Sequence, residues 1–545
     1  MKRDLPPARG PLDGTKEVSE SSGGFGVPHA YALAFGIFLG LALVKFGNPV
    51  ILEGALSAPT TFQEWRGFPW PPGWSIWALA PMLVAGMALA AALKPRWTGI
   101  SALWMLPVLW FAWQIVSAAE SVDRKLSLAT LGQFGGCIAC YFAGSMLLRS
   151  RHLLNWLLIG LLAGFTFCLV RGVDQRLFEF PQERQMLIEG ERTGWTNFAP
   201  NSLAQLKRDA VILTVDGKEV VNPFILAKYQ KGRVHGTLVY PNAMAGAILL
   251  LWPVSIAASL AHTKKFKPVT RFTLLAFTLV LGLAGFFWTG SKFAWLIAIG
   301  IGCLCLGQLE VQRRHKVLLV SMIVLVGLLV FAFRFHNYFE MGARSAGARL
   351  DYWRAAVRGT VEQPWTGSGP GTFQRTYARL KAPESEMARL THNDYLEQFS
   401  DSGIVGGMTY LGWISLALVG AWRQLGHKFE RSRSPGKDLP TALTPSLSHR
   451  MGEGARRASE GSGVGVGEGR GESSFGRGCG FAALENSRDA VGTAVVLGLT
   501  GWFIQGLGEF SLYIPGLAWP AFTLLGWAVA NYPACLFQRR AAGRD

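Results

Sequence analysis

Apolar stretches of about 20 residues, separated by shorter polar connections, dominate the chain. They predict transmembrane helices over approximately 27–47, 73–92, 99–118, 128–147, 152–171, 241–260, 270–289, 291–309, 316–334, 403–423, 490–510 and 516–536. Each must be helical in a bilayer, because an unpaired backbone group in hydrocarbon costs several kcal/mol. The fold class is therefore an all-α polytopic membrane protein of about twelve transmembrane helices with two large outer loops. Helices one to five occupy 27–171 and helices six to nine 241–334, with the tenth at 403–423 and the last two in 490–536. The outer loops are 172–240 and 335–402. A third polar stretch, 424–489, holds TPSLSHRMGEGARRASEGSGVGVGEGRGESS, too poor in apolar residues to bury a core, and is expected to be a disordered insert.

Charge adds sidedness. The chain is 50% hydrophobic and only 16% charged, yet carries a formal +18. Lys94 and Arg96, Arg149 and Arg151, Lys264, Lys265 and Lys267, and Arg313, Arg314 and Lys316 all follow even-numbered helices, and Arg539, Arg540 and Arg544 end the chain. By the positive-inside rule the tails 1–26 and 537–545 and the 424–489 insert are cytoplasmic, and the two large loops are periplasmic. Basic residues placed as topology signals give no reason to expect nucleic acid as a partner. Residues 1–25 lack the apolar core of a signal peptide, so the first helix is expected to stay as an anchor. Cys137 and Cys140 have CxxC spacing, but with no second pair they read as small packing residues rather than metal ligands.

The chemistry is expected in the outer loops. In the second, Gly347 to Arg358 has helical spacing, with Leu350, Trp353, Ala356 and Val357 on one side and Arg344, Arg354 and Arg358 elsewhere, as in a helix lying on a membrane surface. Gly367, Gly369, Pro370 and Gly371 then permit a tight turn, whose N–H groups either bind an anion or simply lead into the next helix. His392, Asn393 and Asp394 stand at the entrance to the tenth helix. A histidine there suits proton abstraction from a sugar hydroxyl, and the plain alternative is an interfacial His beside a helix cap. Ahead of the sixth helix, Lys228, Lys231, Arg233 and His235 precede Tyr240, Pro241 and Asn242. These cations would meet the phosphates of a lipid-linked substrate, or serve as headgroup anchors. Lys292 sits where the connection between helices seven and eight almost vanishes.

Taken in order, GRVHGTLVYPNAMAG, TGSK, RLDYW, TGSGPGTF, HNDYLE and SGIVGG resemble the O-antigen ligase and Wzy O-antigen polymerase family, over about residues 230–420. The resemblance implies a metal-independent, cofactor-free glycosyltransferase acting at the periplasmic face of the bacterial inner membrane. Such an enzyme passes a glycan from an undecaprenyl diphosphate carrier to an acceptor hydroxyl, on lipid A-core or a related lipid-anchored or glycan acceptor, with inversion. Its partners are then the lipid-linked donor, that acceptor and membrane lipids. The resemblance assigns His392 as the base for the acceptor, and Arg233 and Lys292 as ligands of the donor diphosphate. Lys292 stands where relatives usually carry arginine, keeping the charge and losing the bidentate fork. Donor and acceptor contacts are expected from Lys231, His235, Asn242, Arg344, Arg349, Tyr352, Gly369, Gly371, Asn393 and Asp394. The same motifs allow a Wzy-type polymerase or a protein O-oligosaccharyltransferase. A lipid-linked glycan transporter is the non-enzymatic alternative, and it would need charged or broken helices at mid-membrane.

Overall fold

A computed structural model describes residues 25–67, 69–95, 101–307, 312–340, 344–383, 385–433 and 490–530. The expected tails, apart from residues 25 and 26, and the expected insert from 434 onward lie outside the described residues, whereas 424–433, expected as the start of that disordered insert, continue a helix. The first half of the chain forms α1 (Val27–Lys45), α2 (Phe62–Gly67), α3 (Trp74–Leu93), α4 (Ser101–Ala119), α5 (Arg124–Phe142) and α6 (Arg151–Asp174). There follow α7 (Phe180–Arg192), α8 (Pro200–Arg208), β1 (Ile212–Val215), β2 (Lys218–Val221) and α9 (Pro223–Lys231). The remainder consists of α10 (Pro241–His262), α11 (Pro268–Thr289), α12 (Lys292–Gly307), α13 (Arg313–Glu340), α14 (Arg344–Glu362), α15 (Phe373–Leu380), α16 (Asp394–Arg433), α17 (Ala490–Gln505) and α18 (Pro515–Ala530). Among the described residues nine helices are long and apolar enough to cross a membrane, and Lys292–Leu306 and Ala490–Gln505 are shorter apolar helices at further expected positions. The chain is a helical polytopic membrane protein.

Helix ends follow local chemistry. Asp123 caps α5 through Leu126 N–H (3.2 Å) and Ser150 caps α6 through Leu153 N–H (3.2 Å), each satisfying an orphan amide. Pro241 and Pro268 open α10 and α11 at positions where no amide is needed. Helices α1 and α6 pack backbone to backbone. Gly36 and Gly40 of α1 lie directly on the backbone of Leu157 and Gly160, and Gly164 lies on Gly40, an approach that a β-carbon would block. Close backbone contact of this kind drives helix association in lipid, where apolar burial gains nothing.

The first outer loop carries more order than a polar linker requires. Helix α6 runs through a widened turn at Gln175–Glu179 into α7, and α7 to α9 pack with a β-hairpin around Leu187, Trp195, Ile212 and Val221. The hairpin corrects the all-helical expectation locally: Ile212 pairs with Val221 and Val215 with Lys218 across an Asp216–Gly217 turn, both of whose residues have positive φ.

In the second loop the expected amphipathic helix is α14, but its buried Tyr352, Ala355 and Ala356 pack on Phe373 and Tyr377 of α15, with Leu396 of α16 alongside. The glycine turn is also committed internally. Gly371 N–H donates to Asp401 Oδ2 (2.6 Å) and Gly369 N–H to the Asp401 carbonyl (2.8 Å), so the acceptors in this cradle are the chain's own oxygens. Helix α16 kinks at Gly403 (φ 67°), where Ile404 N–H reaches back to the Pro364 carbonyl (2.8 Å).

Gly403→Ala should lower the melting temperature in detergent by the equivalent of about 1–3 kcal/mol, because an L side chain is strained at that φ and a β-carbon would strike Trp365. Gly412→Ala lies in the same helix with open space around it and should be neutral or slightly stabilising. Equal melting shifts for the two would show that the kink is not rigid.

Candidate active site

Three backbone segments set the geometry. The first is the start of α10, where Tyr240 is the extended N-cap, followed by Pro241 and Asn242. The second is the loop from Gly506 to Phe510. The sequence pattern carries helix eleven to 510, but α17 ends at Gln505, because Gly506 and Gly508 turn the chain out of the helix. The third is Thr391–Asp394. Asn393 Oδ1 accepts from Tyr395 N–H (3.1 Å) and Leu396 N–H (3.0 Å), capping α16. Glu397 Oε2 holds Thr391 through its amide (3.0 Å) and hydroxyl (2.9 Å). Asp394 N–H donates to the Gly506 (2.7 Å) and Glu509 (3.1 Å) carbonyls, while its carboxylate accepts from Leu512 N–H (3.3 Å). Two pinned neighbours leave His392 at φ 52°, a left-handed conformation uncommon for a side chain other than glycine and typical of positions held for function.

Glu509 is the centre of these segments. Its side chain is 1% exposed, and both oxygens are fully engaged. Oε1 accepts from Asn242 Nδ2 (2.7 Å) and pairs with Arg349 (2.5 Å). Oε2 accepts from the Tyr240 hydroxyl (2.7 Å) and faces His392 Nδ1 at 3.4 Å. Burial pushes this carboxyl up, but the His392 contact, the Arg349 charge and the Tyr240 hydroxyl outweigh it and hold the group below the usual carboxylate range. Asn242 extends the chain of contacts: its Oδ1 accepts from Arg233 (2.8 Å), whose Nε also donates to the Thr289 carbonyl (2.7 Å). Burial lowers the Arg233 guanidinium, Glu509 opposes that, and Arg349 and Arg334 add to it; an arginine remains charged regardless. The His392 ring lies between Tyr352 (stacked, 6.1 Å) and Phe510 (edge-on, 4.8 Å).

Around this cluster is a cavity of about 730 Å³. Arg233, Asn242, Lys292, Arg349, His392 and Glu509 line its polar side, and Phe293, Leu296, Phe331 and Leu350 its apolar side. The arrangement offers a base, cations for a diphosphate, and an apolar wall for a lipid chain. Among the described residues no group of three His, Cys, Asp or Glu side chains is placed to hold a metal ion.

Residues 277–411 match the family model described as O-antigen ligase. The chain carries an O-antigen ligase family domain. A comparison with curated proteins returned no match. The domain runs from α11 into α16 and includes Lys292, Arg349, Tyr352 and His392, whereas Arg233, Asn242 and Glu509 join its cavity from outside the matched segment. The O-antigen ligase family acts on lipid-linked glycans as membrane glycosyltransferases.

The remaining expected site residues lie elsewhere. Lys231 is exposed at the end of α9. His235 is turned away: Nδ1 donates to the Leu238 carbonyl (2.7 Å), its amide donates to Gln175 Oε1 (3.2 Å), and burial lowers its pKa, so it is a neutral structural residue. Asn393 and Asp394 are spent on the cap and on the 506–512 loop, and Gly369 and Gly371 on Asp401. Arg344 opens α14, and its side chain lies outside the described residues. Tyr240 and Glu509 were absent from the sequence-based set. The lone carboxylate in LGEFSLYIPG, within an otherwise apolar stretch, was the available signal for Glu509.

Glu509→Ala should destabilise the fold by about 3 kcal/mol, since it strands Arg349 against a mostly buried site. Because the Glu509 pKa is depressed on folding, its contribution is present above about pH 4.3 and lost as pH falls through the lower folded value. Thermal unfolding followed from about pH 6 down to pH 3 should drop less steeply for Glu509→Gln than for wild type. Parallel curves would remove Glu509 as an ionised anchor.

Proposed function

We propose that this protein is a glycosyltransferase of the ligase type, which moves a glycan from undecaprenyl diphosphate to an acceptor hydroxyl at the periplasmic face. The observation that carries this reading is the ionised Glu509 beside Nδ1 of His392, in a cavity shared with Arg233, Lys292 and Arg349. A carboxylate beside Nδ1 favours the tautomer with the proton on Nδ1, which leaves Nε2 as the base. In the proposed step the acceptor oxygen attacks the anomeric carbon and its proton passes to Nε2. The bond from that carbon to the diphosphate oxygen breaks, and the electron pair leaves with the diphosphate. Attack opposite the leaving group inverts the anomeric configuration.

Charge building on the departing diphosphate is stabilised by Arg233, which Thr289 and Asn242 hold in place before substrate arrives. Preorganised donors of this kind contribute about 3 kcal/mol each in comparable oxyanion sites. The positive-inside pattern supports a periplasmic cavity, since its polar lining comes from the ends of the two large outer loops, the outer connection before α12 and the 506–510 turn. Buried carboxylates such as Asp401 and Glu397 lie in the segment of α16 ahead of the Gly403 kink and are engaged by Gly371 and Thr391, which favours a structural role over a transport path.

The test is transfer of labelled glycan from its undecaprenyl diphosphate carrier to lipid A-core in proteoliposomes, with folded protein quantified for every variant. His392→Ala should lower the rate at saturating donor by about a hundred- to ten-thousandfold. Arg233→Ala should cost about a hundredfold or more and also weaken donor use. Activity should survive EDTA. Near-normal turnover by His392→Ala would remove the base assignment, and loss in EDTA restored by a divalent cation would replace the arginine account with a metal-assisted one.

A further inference from the structure

Two carboxylates line the cavity, Glu509 and Glu386. Glu509 is buried and its oxygens are taken up by Asn242, Arg349, Tyr240 and His392. Glu386 is exposed to the cavity, and among the described residues no side chain pairs with its carboxylate. Its backbone, by contrast, is held. In the turn after α15 the Lys381 ammonium donates to the Ser385 carbonyl (3.0 Å), Ser385 N–H to the Ala382 carbonyl (3.1 Å) and the Tyr377 hydroxyl to the Glu386 carbonyl (3.1 Å). Two residues on, Ala388 is buried in the cluster with Tyr352 and Phe373. A fixed backbone with a free acid is the form of a binding group.

The contacts place this acid relative to His392. The imidazole stacks on Tyr352 (6.1 Å), Tyr352 meets Tyr377 edge-on (5.1 Å), and Tyr377 holds Glu386. Burial first, with the Glu386 charge adding to it, pushes the Tyr352 and Tyr377 phenols up, so the carboxylate is felt at both hydroxyls. From its other side, His392 leads through Glu509 and Asn242 to Arg233. By contact, the imidazole therefore joins a cationic arm to an acidic and aromatic one, where Trp353 also lines the wall. A diphosphate is drawn to the first arm and repelled by the second. The acidic arm is left for the other substrate. There a carboxylate can accept from two hydroxyls of one sugar, and aromatic rings offer an apolar surface to its C–H face.

We propose that Glu386, with Tyr352 and Trp353, forms the acceptor subsite and makes it selective for an uncharged sugar, excluding one that carries a phosphate or carboxylate at that place. The inference rests on the proposed function for the presence of an acceptor, and sugar binding without turnover separates the two.

The experiment measures binding of methyl glucoside and methyl glucuronide, which differ by one carboxylate, by saturation-transfer NMR. The full chain is held in phosphatidylcholine nanodiscs, with undecaprenyl diphosphate present to occupy the cationic arm. Wild type should favour the neutral glycoside about tenfold, since a like charge brought beside Glu386 opposes the acid. Glu386→Gln, which keeps an acceptor oxygen, should narrow the preference to about twofold, and Glu386→Lys should invert it. Melting temperatures check that each variant is folded. In the transfer assay with lipid A-core, Glu386→Gln should raise the acceptor KM and leave the donor KM unchanged. A preference unaltered by both substitutions, or an equal loss of both glycosides, would overturn this inference while transfer by wild type left the proposed function standing. A rise confined to the donor KM would overturn it as well. Absence of transfer by a wild type that shows the Glu386-dependent preference would overturn the proposed function and keep the sugar subsite.

Discussion

The site depends on a single buried carboxylate having enough partners. Glu509 has two oxygens and about four lone-pair directions, and Asn242, Arg349, Tyr240 and His392 occupy them from three separate regions of the chain. An isolated buried carboxylate would take up a proton or draw in water; surrounded in this way it stays ionised and fixes its neighbours. The start of α10, the middle of α14, the His392 loop and the turn after α17 are thereby set relative to one another by one group. Arg233 is included at one remove through Asn242, so its guanidinium and the His392 imidazole share a common support.

A second buried carboxylate does for the scaffold what Glu509 does for the site. Asp401 gathers the Gly369–Gly371 turn with its side chain and carbonyl, and Ser117 of α4 donates to the same carbonyl at 2.9 Å. Tyr513 beyond the 506–512 loop approaches the Asp401 carboxylate at 3.4 Å. The glycines have the form of an anion-binding cradle, and the oxygens that fill it already belong to the protein. The loop that carries α14 and α15 is consequently joined to the bundle by polar groups as well as by Tyr352, Phe373 and Tyr377.

The helices and their order were legible because a hydrocarbon solvent makes periodicity almost irrelevant: length and composition alone identify a spanning segment. The set Arg233, Lys292, Asn242, Arg349, Tyr352 and His392, which the structure gathers around one cavity, was also legible, through the motifs that carry the family resemblance. Glu509 was missed because it lies in a long apolar stretch, where a single acid does not change the average and its partners are more than a hundred residues away. His235 misled for the converse reason. Its neighbours Arg233 and Asn242 face the cavity, but Gly236 at positive φ turns the chain, and Gln175 draws the imidazole backbone inward. The hairpin in the first loop had a readable signal in ILTVDGKEVV, whose Asp-Gly step between alternating residues is a turn former. A polar average over 172–240 concealed it.

The glycine contact between α1 and α6 bears on how the protein is made. Gly40 meets Gly160 across a separation of 120 residues, counted as 160 minus 40. At about 5–20 residues per second the ribosome needs about 6–24 s to supply the second helix after the first. During that interval α1 stands in the bilayer with its small-residue groove open, and α3, α4 and α5 must be inserted without occupying it. A bulky substitution at Gly36 or Gly40 would therefore act during assembly, as a loss of mature protein, while the chemistry of each surviving molecule stayed intact.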